Sequence, residues 1–187
     1  MPILQPEPAQ FPEHLFADET PSPELGQRDW WVLHTRPRQE KSVARDLHHR
    51  QVPFYLPLVP HRSRIRGRIM TSYLPLFAGY VFLLAGAEER LAALSTNRIV
   101  RTLPVPETAG LWQDLRQIHR LIASGSPLTR EDRLAPGMKV EIKSGPLAGL
   151  KGTIVRGASG RRFVVAVDFI QQGASVLLDD FTLGQID

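Results

Sequence analysis

The sequence predicts an α+β protein in two parts: an antiparallel sheet with flanking helices, followed by a small barrel made only of strands. Residues 29–123 indicate the first part, because β-rich runs and helical stretches follow each other there in the order β-α-β-β-α-β-α. Residues 137–187 indicate the barrel, because short β-rich runs recur there every 8–12 residues or so between glycine turns. Residues 124–136 are polar and punctuated by glycine and proline, which is typical of a linker.

Residues 1–28 are expected to form a disordered, acidic, proline-rich tail. They contain six prolines, and five acidic residues against one basic residue, with no hydrophobic period between the prolines. The whole chain has a formal charge of +4, so the net −4 of the tail leaves about +8 on residues 29–187. A basic body of this kind favours a polyanionic partner.

Composition narrows the class of protein. A chain of 187 residues with 42% hydrophobic and 22% charged residues is typical of a soluble protein with one domain or two small ones. The lack of cysteine excludes disulfides, thiolate nucleophiles and cysteine-type zinc sites, and fits a reducing compartment. No stretch resembles a signal-peptide core or is long enough to span a membrane, so we expect a cytoplasmic protein without a membrane partner.

The first β-rich run covers residues 30–35 and ends at Arg36-Pro37. The residue before a proline is displaced from the α region, whereas proline itself suits the first position of a helix. A helix is therefore predicted over residues 37–50. Its narrow apolar stripe consists of Val43, Ala44 and Leu47.

A basic segment follows. Residues 52–59 indicate an irregular edge strand, because prolines interrupt an otherwise β-rich run. Residues 61–68 then contain four arginines at alternate positions around Gly67. In a hairpin, this alternation predicts that the arginines share one face.

The stretch 73–82 carries three aromatic residues in its last six positions and leads into an apolar strand. Pro75 cannot donate a hydrogen bond to a neighbouring strand and Gly79 weakens a strand, so a bend or bulge is predicted at its entry. Alternation puts Tyr80 and Phe82 on one face and the apolar residues between and after them on the other. Both sets can be internal only if both faces of the sheet are covered. A core position remains the alternative for each aromatic residue.

Three later elements complete the first part. Residues 87–94 predict a short helix, and residues 97–101 predict a turn followed by a strand. The clearest helix covers residues 108–123 and ends at Ser124-Gly125. Its apolar positions recur at i, i+4, i+7 and i+11, at Leu111, Leu115, Ile118 and Ile122.

The barrel begins at residues 138–143, which alternate apolar and charged side chains as in a half-buried strand. Further strands are predicted over residues 152–156, 162–169 and 175–179. One face of the second of these is expected to form the barrel core, through Phe163, Val165, Val167 and Phe169.

Over residues 30–187 the chain resembles the NusG family of transcription elongation factors. Leu76-Phe77-Ala78-Gly79-Tyr80-Val81-Phe82 is similar to the family signature Leu-Phe-Pro-Gly-Tyr-Val-Phe, with Ala78 in place of the usual proline. Residues 137–155, with Gly145-Pro146-Leu147-Ala148-Gly149-Leu150-Lys151-Gly152, resemble a KOW motif. The run His34-Thr35-Arg36-Pro37-Arg38-Gln39-Glu40-Lys41 is closer to the specialised RfaH-like paralogues than to the housekeeping factor.

The resemblance implies a NusG N-terminal (NGN) domain over residues 29–123, an α/β sandwich related to the RNP fold, and an SH3-like KOW barrel over residues 137–187. In that family the first domain binds the clamp helices of the largest RNA polymerase subunit and suppresses pausing or termination. Carried over by position, the polymerase-binding residues are Phe77, Tyr80 and Phe82. Large aromatic side chains suit such a contact, and at least Tyr80 is expected at the surface.

RfaH-like paralogues also contact the non-template DNA strand. Aligned to that surface, the implied DNA-binding residues are Arg36, Arg38, His49, Arg50, Asn97 and Arg98. The planar guanidinium of arginine pairs with phosphate or guanine and stacks on bases. The arginines of residues 61–68 are assigned to polymerase or upstream nucleic acid in general. The KOW barrel is implied to recruit a small-subunit ribosomal protein or Rho.

Two other classes of protein share some of these features. An enzyme is disfavoured because the acidic residues are scattered and no glycine-rich phosphate loop precedes a helix. The histidines are isolated or adjacent, so no metal site and no cofactor is expected. A ribosome-associated or RNA-binding KOW protein is the second rival, since KOW motifs also occur in ribosomal proteins. That reading leaves residues 73–82 unexplained.

Overall fold

The computed structural model of the protein describes residues 7–18, 20, 26–157, 160–178 and 183–185. The chain forms two compact units, Met1–Thr108 and Ala109–Asp187. Both combine helix and antiparallel sheet in the predicted α+β class, and the second contains the all-β region. Among the residues just given, no helix is long and apolar enough to cross a membrane.

The first unit is built on a five-stranded antiparallel sheet. Across the sheet, the strands run in the order β1 (Gln10–Phe11), β3 (Phe54–Tyr55), β6 (Tyr80–Ala85), β2 (Asp29–Thr35) and β7 (Ile99–Pro104). Strands β4 (Leu58–Ile65) and β5 (Arg68–Pro75) form a separate hairpin, and the helices are α1 (Glu40–His49) and α2 (Ala87–Leu94). The strand that follows the aromatic stretch, β6, is therefore the central one.

Helix α1 packs on one face of this sheet. Its predicted stripe, Val43, Ala44 and Leu47, is buried in one cluster with Leu33 and Val81. Removing this apolar surface from water is the main force that holds the helix to the sheet.

Helix α1 begins three residues later than predicted, at Glu40. Arg38 has a φ of 61°, in the left-handed region, so helical geometry starts only after it. Proline at position 37 therefore belongs to the turn before the helix.

Part of the segment expected to be a disordered tail is folded. Strand β1 pairs with β3 at the edge of the sheet, with Phe11 opposite Phe54 and Gln10 opposite Tyr55. The guanidinium of Arg45 on α1 donates to both carboxylate oxygens of Glu7, at 2.6 and 2.8 Å. This contact adds to the β1 pairing, so the segment is tied to the sheet and to α1 together.

The same segment crosses to the other face of the sheet. Leu15 and Phe16 are buried, and the Phe16 ring meets the Tyr55 ring edge to face with centroids 4.9 Å apart. Sequence periodicity did not reveal this, because the apolar residues occur singly between prolines. The expectation of disorder is wrong for these residues, and the remainder of 1–28 that lies at 1–6, 19 and 21–25 is outside the described residues.

The second unit consists of helix α3 and a six-stranded antiparallel sheet. Helix α3 (Thr108–Ala123) is followed by strands β8 (Thr129–Glu131), β9 (Met138–Ile142), β10 (Lys151–Gly157), β11 (Gly160–Val167), β12 (Gln172–Leu177) and β13 (Leu183–Gln185). Their order across the sheet is β13, β9, β10, β11, β12, β8. Strand β8 falls within residues 124–136, so part of the segment expected to be a linker is a sheet strand paired with β12.

Helix α3 contacts the strands of its own unit. Arg120 donates from Nη2 to the carbonyl oxygen of Ala148 at 2.7 Å, and the backbone N–H of Lys151 donates to Gln117 Oε1 at 2.7 Å. From the sequence, this helix was expected to close the domain at residues 29–123. Its buried residues are Leu111, Trp112, Leu115, Ile118 and Leu121, whereas Ile122 of the predicted stripe is only half-buried.

The predicted face of β11 forms part of the core of the second unit. Phe163, Val165 and Val167 are fully buried, and Val164 on the other face is buried too. Phe169 departs from the prediction and is half-buried, because β11 ends at Val167 and a short 3-10 helix covers residues 168–170. A strand's two-residue period no longer applies beyond that point.

Among the acidic side chains that the structure describes in the second unit, Asp114 on α3 has the pKa that is raised most by folding. Burial raises the pKa of its carboxyl to about 6, with a further rise from the charge of Asp168, although its Oδ2 accepts a hydrogen bond from the Asp168 N–H at 3.1 Å. The folded state favours the protonated form of this carboxyl. The Asp114 charge therefore lowers the free energy of unfolding, an effect that is absent below pH 3.8 and complete above pH 6.

Replacing Asp114 with asparagine is expected to stabilise the protein at pH 8 by about 1 kcal/mol, allowing for partial solvent screening. The amide oxygen still accepts the hydrogen bond while the buried charge is removed. Urea unfolding of the full chain at pH 8 and at pH 3.5 measures the effect, which should vanish at the lower pH. Glu107→Gln at an exposed position is the control, and an equal gain from Asp114→Asn at both pH values would contradict the explanation.

Candidate functional site

The turn before β6 presents Tyr80 and is fixed by three hydrogen bonds. The N–H of Gly79 donates to Oε1 of Glu40 at 2.7 Å, the N–H of Thr35 donates to the Gly79 carbonyl at 2.9 Å, and the N–H of Tyr80 donates to the Phe77 carbonyl at 3.2 Å. Gly79 has a φ of 84°, a conformation that glycine adopts without strain. The bend predicted at this point is therefore a defined turn.

Glu40 was not identified from the sequence as part of this site. Its side chain is only 6% exposed, and it lies at the first position of α1, where a carboxylate is favoured by the helix dipole. Its partner Gly79 is 39 residues away in sequence, so no local pattern indicates the pairing. Glu40 joins the start of α1 to the turn that carries Tyr80.

The three aromatic residues of the signature do not form one exposed patch in this structure. Phe77 is 1% exposed and Phe82 0%, and their rings meet edge to face with centroids 6.2 Å apart. Tyr80 is half-buried and keeps part of its ring accessible. The reason is that β6 is the central strand and both of its faces are covered, since Val81 and Phe82 are both fully buried.

The neighbours of Tyr80 form a row across three strands. In the sheet register, Tyr80 on β6 lies opposite His34 on β2, which in turn lies opposite Arg101 on β7. The rings of Tyr80 and His34 are tilted by 36° with centroids 5.5 Å apart. Side chains opposite one another in an antiparallel sheet share a face. His34 and Arg101 therefore extend the accessible surface of Tyr80, and only the strand register reveals this.

The predicted DNA-binding residues lie around α1, and the structure brings some of them together. The N–H of Arg36 donates to the carbonyl of Arg98 at 2.8 Å, so the turns that precede α1 and β7 are adjacent. Arg36 and Arg38 are exposed at the start of α1, as are His49 and Arg50 at its end. These two pairs are about 15 Å apart along the ten-residue helix.

Arg98 differs from the other members of this group because it has an acidic partner. Its Nη1 forms an ion pair with Oδ2 of Asp46 on α1. Asn97, beside it, is exposed and has a φ of 56°, a left-handed conformation that asparagine tolerates. The ion pair holds the turn before β7 against α1, so part of the charge of Arg98 is already compensated within the chain.

The β4–β5 hairpin corrects the expectation that its four arginines share one face. Residues 66 and 67 form a two-residue turn with φ of 47° and 79°, as in a type I′ turn. Arg64 lies opposite Ile69, whereas Arg68 lies opposite Ile65 on the other face. The arginines alternate along the sequence straight through the turn, but the reversal of the chain places Arg68 on the same face as the odd-numbered residues of β4.

One comparison with known proteins identifies a family. The NusG family profile, described as transcription termination factor nusG, matches residues 28–127. A solved structure described as "Domain interaction in Thermotoga maritima NusG" aligns with a TM-score of 0.42 and 18% sequence identity, covering 82% of this chain and 94% of that one. The search of curated proteins found no match.

The family match contains the features that form the candidate site. It spans more than half of the chain and includes α1, the turn at Gly79, the strand β6 and the basic residues around them. The chain belongs to the NusG family of transcription elongation factors.

Proposed function

We propose that this chain is a transcription antitermination factor that binds RNA polymerase at the clamp helices of its largest subunit and suppresses pausing or termination. The observation that carries the proposal is the half-exposed ring of Tyr80, presented on a turn that Glu40 fixes. A rigid aromatic side chain with a polar tip gives a large contact area at low entropic cost.

The three signature aromatics divide their roles in this proposal. Tyr80 contacts the polymerase directly, with His34 beside it. Phe77 and Phe82 are buried beneath and hold the strand and the turn in place. Their contribution to binding is thus indirect, through the position of Tyr80.

The factor is further proposed to be a specialised, RfaH-like paralogue that contacts the non-template DNA strand. Arg36, Arg38 and Arg50 are exposed along α1, and a separation of about 15 Å between the ends of the helix suits a strand that runs along it. His49 and Asn97 complete the surface, while Arg98 acts mainly by holding Asn97 against α1.

Crosslinking of the non-template strand in a polymerase complex tests this contact. Arg50→Glu should weaken it, and should reduce the dependence of binding on salt by about 0.7 in log–log slope for the lost phosphate. Arg133→Glu, at an exposed position of the second unit, is the control. Unchanged crosslinking by Arg50→Glu would overturn the assignment.

The second unit is proposed to act as a KOW domain that recruits a protein partner, a small-subunit ribosomal protein or Rho. Residues 134–187 hold six lysines and arginines against five acidic residues, so the region is nearly neutral. A neutral surface is better suited to a protein partner than to nucleic acid.

Retention of core RNA polymerase by the immobilised full chain tests the main proposal. The wild type and Tyr80→Phe, which keeps the ring, should retain polymerase, whereas Tyr80→Ala should retain at least tenfold less, a loss of about 1.4 kcal/mol typical of an interface aromatic. Circular dichroism of each variant shows that the chain is folded. Equal retention by Tyr80→Ala, or copurification of the wild type with ribosomes rather than polymerase, would contradict the proposal.

A further inference from the structure

The β4–β5 hairpin is a projecting ribbon with an unusual charge. Beyond Val59, its residues are exposed or half-buried up to Pro75, and its eight-residue strands extend about 26 Å. It contains four arginines and no acidic residue, and the sequence has no acidic residue anywhere between Asp46 and Glu88. Among the residues that the structure describes, none of these arginines takes part in an ion pair.

The arginines surround the tip of the ribbon. Arg64 stands on one face beside Ile69, Arg68 on the opposite face beside Ile65, and Arg66 lies in the two-residue turn between them. Three unpaired cations so close together repel one another unless a polyanion neutralises them. Because the charges point to both faces, they suit a ligand that presents phosphates on two sides.

Exposed apolar side chains accompany these charges. Ile69 is 75% exposed, Ile65 54% and Met70 53%. These side chains do not add to a core, although a two-stranded hairpin by itself is only marginally stable in water. Apolar side chains beside arginine are common where a protein reads a DNA groove, since they contact thymine methyl groups. The ribbon therefore offers both ionic and apolar contacts to a single ligand.

We propose that the β4–β5 hairpin is a second nucleic-acid-binding site that inserts its tip into the major groove of duplex DNA. A groove about 12 Å wide admits a two-stranded ribbon, and it is lined on both sides by phosphates that Arg64 and Arg68 reach from opposite faces. The major groove of duplex RNA is too narrow for side chains to read. This site is separate from Tyr80 and from the basic residues around α1, and it does not depend on polymerase binding.

Fluorescence anisotropy of the full chain with a labelled 20-base-pair DNA duplex, measured from 50 to 300 mM NaCl, tests the proposal. The triple variant Arg64→Gln, Arg66→Gln, Arg68→Gln should raise Kd by roughly tenfold or more at 100 mM salt. It should also lower the log–log salt slope by up to about 2.7, at about 0.9 for each phosphate contact. The matched control, Arg133→Gln, Arg156→Gln, Arg161→Gln, changes the net charge equally at exposed positions of the second unit and should leave Kd within about twofold of the wild type.

Three outcomes would overturn the site. These are no binding of the duplex by the wild type at 50 mM NaCl, equal weakening by the two triple variants, and equal binding of duplex RNA. Polymerase retention separates this proposal from the function proposed above. The hairpin variant should retain polymerase as the wild type does, and Tyr80→Ala should bind the DNA duplex normally.

Discussion

Replacing Phe82 with alanine is expected to lower the free energy of unfolding of the first unit by about 4 kcal/mol. The Phe82 ring is fully buried on the central strand β6 and meets the Phe77 ring edge to face. Strands on both sides of β6 hold its backbone in place, so the cavity left by the ring cannot close by collapse. Loss of the aromatic contact adds to the cost of the lost apolar burial.

Tyr80→Ala is the matched control, since Tyr80 lies on the same strand and the same face but is half-exposed. Its expected cost is about 1 kcal/mol. Hydrogen exchange of β6 and β2 in the full chain distinguishes the two variants, because it reports on each unit separately where a single unfolding curve does not. If Phe82→Ala exchanged no faster than Tyr80→Ala, Phe82 would not be a core residue and a direct contact with polymerase would regain support.

This comparison also shows how far the sequence predicts the candidate site. The period-two pattern correctly put Tyr80 and Phe82 on one face of a strand. Whether that face is covered depends on segments distant in sequence. One such segment is the part of the supposed tail in which Phe16 packs on Tyr55, the residue that lies opposite Phe82.

Local patterns predicted the elements well wherever one face of a helix or strand is buried. The apolar stripe of α1 repeats every three or four residues, and the buried face of β11 repeats every two residues. Both patterns can be read from neighbouring positions in the sequence. Contacts such as Glu40 with Gly79 join residues 39 positions apart and leave no such pattern. The faces of the hairpin arginines were mispredicted because a two-residue turn reverses the chain, and only the pairing of Ile65 with Arg68 reveals the register.

Gly152 on β10 shows that close packing in the sheet of the second unit can require a particular residue type, which a hydrophobic pattern does not reveal. A Cβ added at Gly152 on β10 would lie 2.4 Å from the carbonyl oxygen of Val164 and 2.8 Å from the Phe163 ring. Both neighbours belong to the adjacent strand β11, and Phe163 is fully buried, so neither can move aside. Gly152 is therefore required by close packing between a strand and the core.

Gly152→Ala is accordingly expected to destabilise the second unit by about 3 kcal/mol, at the upper end for overpacking. This clash outweighs the gain from alanine, which loses less backbone entropy on folding than glycine does. Gly157→Ala is the control on the same strand, because its added Cβ would come no closer than 3.3 Å to another atom, Cδ of Arg162, and 3.7 Å to the carbonyl oxygen of Gly160. Its expected effect is within about 0.5 kcal/mol. Hydrogen exchange of β10 and β11 in the full chain measures both variants, with the exchange of β2 and β6 as an internal reference that should not change. Equal protection of β10 in the two variants would mean that the sheet shifts to accept a side chain at position 152, and the close approach of β11 would then not be what requires glycine there.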